Sequence, residues 1–215
     1  MRKYEILKKV KEEKIVAIIR VSDANLAEPT VDALVKGGIK CIEVTFTTPF
    51  IQSAFEKIAK KYQKTDVYLG VGTILDSETA RIAIMSGAQF LVTPTFNKNV
   101  VELANRYGVP IFPGIMTPLE ALSALESGVD VVKLFPASQF KYSIINNLRG
   151  PIPNLEIMPT GGVDLNNIKD WIKAGAFACG VGGSLTRGAK TGNFDEVTKS
   201  AIEFKKAIKE AVNNE

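Results

Sequence analysis

Apolar residues along the chain fall into short, β-branched runs separated by amphipathic stretches. The runs at 15–21, 41–46, 67–73, 90–95, 110–115, 131–137, 156–162 and 178–184 have the length and composition of strands. Between them the apolar positions follow helical spacing; in the last stretch Val197, Ala201, Phe204, Ile208 and Val212 mark one face. A glycine recurs just before a strand, at Gly38 (GGIKCIEVTF), Gly87 (SGAQFLVTP), Gly108 (YGVPIFPGI), Gly128 (SGVDVVKLFP) and Gly175 (AGAFACGVGG). Helices often end on a glycine in the left-handed conformation, so each such glycine marks a helix-to-strand junction. The shorter intervals between them are about half the longer ones, which makes one helix–strand pair the repeating unit. Eight strands alternating with eight helices, after the charged amphipathic start MRKYEILKKVKEEK, predict an α/β fold. Residues 1–215 then form a single-domain (β/α)8 TIM barrel with an extra N-terminal helix. A doubly wound open sheet is the structural alternative, but the first strand–helix turn, RVSDANLAE, lacks the G-x-G-x-x-G of its dinucleotide-binding form.

Composition narrows the chemistry. A chain of 215 residues with 46% hydrophobic and 23% charged residues can bury a full core without disulfides or metal. The net charge of +4 is mild. Lysines such as Lys8-Lys9 and Lys60-Lys61 read as solvated helix faces, and no stripe of arginines and aromatics suggests nucleic acid. With no apolar run of membrane-spanning length and no signal core, a cytoplasmic protein without a membrane partner is expected. Cys41 and Cys179 lie in apolar runs and read as small buried hydrophobes in a reducing compartment. The chain has no histidine, which removes Ser-His and Cys-His nucleophile systems and His-ligated metals. Acid–base work falls to carboxylates, Lys, Tyr, Cys or hydroxyls.

In a barrel the site lies at the C-terminal ends of the strands, and alternation separates barrel-facing from helix-facing positions. In VDVVKLFPA, Lys133 shares parity with Val131 and Phe135, while Val132 and Leu134 face the helices. Desolvation lowers the pKa of such a lysine, and a neutral amine is what Schiff-base formation on a carbonyl needs. The blander reading is a snorkelling lysine or a core ion pair. In CIEVTF, Glu43 lies on the parity of Thr45 and reads as a proton shuttle, or else as a structural partner of Lys133 or Arg20. Arg20, at the end of strand 1, can hold a carboxylate, or simply be an exposed strand-end arginine. Thr73 offers a hydroxyl at the barrel mouth, or only a turn hydroxyl. Strand 7 ends PTGGVD and strand 8 runs GVGGSL, at the usual phosphate site of such barrels. Gly161, Gly162, Gly182 and Gly183 would expose backbone N–H groups there and Thr160 and Ser184 would add hydroxyls; tight turns alone are the alternative. Pro94 and Phe135 line the apolar side or merely shape strand ends.

Taken in order, EVTFTTP, GVGT, PGIMTP, KLFPA and PTGGV resemble the 2-keto-3-deoxy-6-phosphogluconate (KDPG) aldolase / 4-hydroxy-2-oxoglutarate (KHG) aldolase family, from about residue 14 to 205. The resemblance implies a metal-free, cofactor-free class I aldolase on a (β/α)8 barrel, typically a homotrimer, of the Entner–Doudoroff pathway. Its reaction splits KDPG into pyruvate and glyceraldehyde 3-phosphate. It also implies Lys133 as the Schiff-base lysine and Glu43 as the acid–base residue. Thr73 would lie at the pyruvate carboxylate, Pro94 and Phe135 as pocket walls, and Thr160-Gly161-Gly162 with Gly182-Gly183-Ser184 at the phosphate. One departure stands out: many members carry an arginine for the carboxylate where this chain has Thr47, and Arg20 is the candidate replacement. The residue before Pro94, often serine, is Thr93. Three rivals remain open. One is an aldolase for the galactonate epimer or the unphosphorylated acid. Another is a phosphate-binding barrel enzyme with an electrostatic Lys133. The last is an idle scaffold.

Overall fold

The computed structural model describes residues 2–213. All paired strands are parallel. Helix α1 (Arg2–Glu13) comes first, then β1 (Ile15–Ile19), α2 (Ala27–Lys36), β2 (Cys41–Thr45), α3 (Ile51–Tyr62), β3 (Tyr68–Gly72) and α4 (Ser77–Met85). There follow β4 (Phe90–Val92), α5 (Lys98–Arg106), β5 (Ile111–Phe112), β6 (Gly114–Ile115), α6 (Pro118–Glu126), β7 (Val132–Leu134) and α7 (Ile144–Arg149). The chain ends with β8 (Ile157–Pro159), α8 (Ile168–Lys173), β9 (Cys179–Val181), α9 (Gly183–Thr186) and α10 (Phe194–Val212). Pairing runs β5-β4-β3-β2-β1-β9 in one sheet and β6-β7-β8 in the other, and a parallel bridge between Thr160 and Gly180 links β8 to β9.

Local chemistry explains the boundaries. Asp76, Asn97, Thr117 and Asn193 accept backbone N–H bonds in the first turns of α4, α5, α6 and α10, and Thr117 with Glu120 forms a full capping box before Pro118. Gly38, Gly87, Gly108, Gly128 and Gly175 all have positive φ, so each expected helix-to-strand junction is a left-handed glycine.

The strands are shorter than the sequence expectation, β1 ending at Ile19 and β4 at Val92, and in four runs the local reason is plain. The run at 110–115 is broken at Pro113, which has no N–H to give the ladder. The run at 131–137 stops at Leu134, before the cis Phe135–Pro136 peptide. The run at 156–162 ends at Pro159, ahead of Gly161 and Gly162, whose φ of +86° and +84° leaves extended geometry. The run at 178–184 ends at Val181; Gly182 caps the short helix α9, so Gly183 and Ser184 are helical.

Alternation sorts the apolar residues into two cores. One packs the outer strand faces against the helices and includes Ile42, Val44, Val132 and Leu134. The other joins Val16, Cys41, Phe90, Val92, Phe112, Val131 and Met158 from the opposite strand faces with Ile6, Leu7 and Val10 of α1. Phe90 and Phe112 meet edge to face at 5.7 Å. Glycine at Gly70 makes this possible, because a Cβ there would lie 2.2 Å from the Phe90 ring. Helix α1 therefore covers the N-terminal ends of the strands and leaves the C-terminal ends for chemistry.

Candidate active site

Above the second core, the same strand faces turn polar. Lys133 follows Val131 by two residues, and Glu43 follows Cys41 by two, so both side chains continue the inward face. Lys133 is flanked in register by Gly114 and Met158, and Glu43 by Ile18 and Gly70. Both are almost fully buried, at 6% and 1% exposure. The Lys133 amine lies 4.8 Å from the Phe135 ring centre and has no hydrogen bond or ion pair among the described residues. Glu43 Oε2 is buried without a hydrogen-bond partner. The structural ion pair considered for these two residues is thus not formed.

Burial is the first cause that moves both groups, and it moves them toward neutrality. It pushes the Lys133 amine below the ordinary lysine value; the Glu43 charge opposes that and the Arg20 charge adds to it. It pushes the Glu43 carboxyl up, against the attraction of Lys133 and Arg20. Burial thus favours the free amine of Lys133 and the protonated carboxyl of Glu43, the forms of a nucleophile and an acid.

The remaining residues fall around this pair. Arg20 is exposed, yet close enough for its charge to act on both groups, and it has no ion pair among the described residues. Thr47 is exposed, and its hydroxyl lies 3.2 Å from that of buried Thr45. Thr73 follows β3 with φ +60°, a strained setting for a β-branched residue and one that clusters at functional sites. Pro94 and Phe135 are half-buried after β4 and β7. Thr160 is buried against Gly180. Gly161 and Gly162 follow, with the Gly161 carbonyl accepting from Ser138 N–H at 2.9 Å and the Gly162 carbonyl from Asn167 Nδ2 at 2.8 Å. Ser184 Oγ donates to the Val163 carbonyl at 2.9 Å, so the loops after β8 and β9 are tied together. Thr160 pairs with Gly180 of β9 at the start of the first of these loops.

Some features were not legible beforehand. Thr93 Oγ1 donates to the Thr95 carbonyl at 2.6 Å and accepts from Gly114 N–H at 3.3 Å, bracing Pro94; only its place before a proline hinted at this. A cavity of about 880 Å³ lies beside the β1–α2 and β2–α3 loops, lined by residues such as Asp23, Glu28, Phe50 and Lys57, and neither Lys133 nor Glu43 borders it. Burial raises both thiols, that of Cys179 to about 12, so neither is a ready nucleophile. Among the described residues no group of three or more His, Cys, Asp or Glu is placed to hold a metal, and no helix is long and apolar enough to cross a membrane.

Comparison with known proteins identifies the family. The family model for KDPG and KHG aldolases matches residues 6–200. A 2-dehydro-3-deoxy-phosphogluconate aldolase of Treponema pallidum is 40% identical over 200 residues, covering 91% of this chain and 92% of the relative. A 2-dehydro-3-deoxy-6-phosphogalactonate aldolase of Escherichia coli is 31% identical, covering 92% and 96%. A solved structure described as native KDPGal superposes with a TM-score of 0.86 at 29% identity, covering 93% of this chain and 96% of that one. Motif order, strand geometry and these likenesses agree: the chain belongs to the KDPG and KHG aldolase family and is a carbon–carbon lyase.

Proposed function

We propose that this aldolase cleaves 2-keto-3-deoxy-6-phosphogluconate to pyruvate and glyceraldehyde 3-phosphate through a Schiff base on Lys133. The observation that carries the reading is the pair itself: a buried amine with no hydrogen bond or ion pair among the described residues, on the same inward surface as a buried carboxyl with an unpaired oxygen. The neutral Lys133 amine attacks the C2 carbonyl, and Glu43 moves the protons of carbinolamine formation and dehydration. The resulting iminium withdraws electrons as Glu43 takes the C4 hydroxyl proton and the C3–C4 bond breaks. The enamine is then protonated, and water releases pyruvate. Arg20 and Thr73 hold the carboxylate, with Thr47 at the place of the arginine many relatives carry. Pro94 and Phe135 wall the pocket. Backbone N–H groups of Gly161, Gly162, Gly182 and Gly183, with Thr160 and Ser184, receive the phosphate, whose remote binding energy aligns the reacting bond.

The same reading includes one closed eight-strand barrel over residues 1–215. The continuation of β5 into β6 through Pro113 and the Thr160–Gly180 bridge support it. The higher identity to the Treponema pallidum phosphogluconate enzyme favours that epimer over the galactonate one. Cleavage of 4-hydroxy-2-oxoglutarate is a second activity to assay, since the matching family includes KHG aldolases.

The test is borohydride trapping with pyruvate, followed by digestion and mass spectrometry. The expected result is a pyruvate-derived adduct on Lys133, lost in Lys133→Met. Folded protein that forms no adduct in ample pyruvate would return Lys133 to a structural role.

A further inference from the structure

Four glycines lie on the inward strand faces, and each makes room for something different. A Cβ on Gly70 would strike the Phe90 ring, one on Gly114 the Pro94 backbone, and one on Gly180 the Thr160 side chain. A Cβ on Gly72 would meet Glu43: 1.6 Å from Oε1, 2.3 Å from Cδ and 2.7 Å from Cγ. All three of its nearest contacts belong to the far end of one flexible side chain. Gly72 pairs in register with Thr45, two residues beyond Glu43 on β2, so the carboxylate reaches across the sheet into the space a side chain would fill. Its φ is not in the left-handed range, so the backbone at 72 does not itself demand glycine.

We infer that Gly72 is a positioning residue for proton transfer: the missing side chain on β3 is the seat of the Glu43 carboxylate. The inference rests on the proton-shuttle role proposed for Glu43. A methyl group at 72 evicts the carboxylate, because Oε1 occupies the same volume. Neither a ring nor a backbone segment is among the three nearest contacts, so the clash falls first on the Glu43 side chain. A residue placed for packing alone would behave like Gly70, where substitution strikes a buried aromatic. Gly72 is thus set apart by which atoms it admits.

The experiment is a cycle of Gly72→Ala, Glu43→Gln and the double variant. Each is assayed for KDPG cleavage and for deuterium uptake into the pyruvate methyl group in D2O. Gly72→Ala should lower kcat and methyl exchange together, on the order of 100-fold, the range of a lost general acid–base group. The melting temperature and the end-point extent of borohydride trapping at saturating pyruvate should stay close to the parent, while the rate of trapping falls. In the Glu43→Gln background the alanine should cost no more than a few-fold. Wild-type kcat in Gly72→Ala, or an equal loss in both backgrounds, overturns the inference and leaves the Glu43 role standing. Wild-type kcat in Glu43→Gln overturns that role, and the inference with it. Should Gly72→Ala fail to fold, Gly72→Ala with Glu43→Ala supplies the second arm, since alanine at 43 removes Cγ, Cδ and Oε1, the three atoms the new methyl would meet. Recovery of folding supports the inference, and failure of both makes Gly72 a packing glycine.

Discussion

At the scale of the residue, the chemistry depends on what Lys133 lacks. A lysine whose pKa is depressed by burial reacts once its proton is gone, so the rate of pyruvate adduct formation should rise with pH. The midpoint should fall below the ordinary lysine value of 10.5. Linkage gives the matching stability effect. A lysine whose folded pKa is depressed contributes fully only above its unfolded pKa, and that contribution is lost as pH falls through the folded value. Near neutrality the buried lysine is therefore a burden. Adduct rates followed against pH by quenched borohydride reduction test the first statement; a midpoint at or above 10.5 would contradict it. Strand parity made both Lys133 and Glu43 visible in the sequence, since each is a lone charge within an apolar run. The empty place that the Glu43 carboxylate fills was not visible. Gly72 in GVGT reads like any strand glycine until the neighbouring strand is set beside it, because cross-strand contacts depend on register and register is not local.

At the scale of the element, helix α1 and the strand ends divide the work. Ile6, Leu7 and Val10 are buried against the inner core at the end opposite Lys133. Lys205 and Lys9 both bind Glu13, tying α1 to α10 and within itself. Ile6→Ala should cost about 2–5 kcal/mol. For a chain of this length that lowers Tm by roughly 5–15 °C, with kcat unchanged at temperatures where the variant is folded. Calorimetry beside steady-state kinetics decides it; a kcat that falls while Tm holds would show that the two ends are coupled. Elements were legible wherever a glycine or capping side chain punctuated them, as at Gly87, Asp76 and Thr117. They were misread where a proline or glycine pair ended a strand inside an unbroken apolar run. Pro113 and Gly182 sit in such runs, and hydropathy alone does not register a missing N–H or a turn into helix.

At the scale of the molecule, the chain of 23.3 kDa carries exposed apolar side chains, Leu75, Met85 and Leu119 among them. The trimer implied by the family resemblance predicts a solution mass three times that of the chain, measurable by sedimentation equilibrium; a monomer at assay concentrations would remove it. Overall architecture was readable because the helix–strand unit repeats, and each repeat constrains the next. Assembly was not, since no heptad or continuous apolar stripe marks a partner face.

The hydrogen bond from Ser184 to the Val163 carbonyl makes two loops mechanically one. A substitution at Ser184 removes the bond that joins them, whereas a side chain at Gly162 would strike Ser138 in the loop after β7. With the phosphate seated as proposed, the economical starting library for aldehydes without phosphate is a single codon at the hinge between the loops.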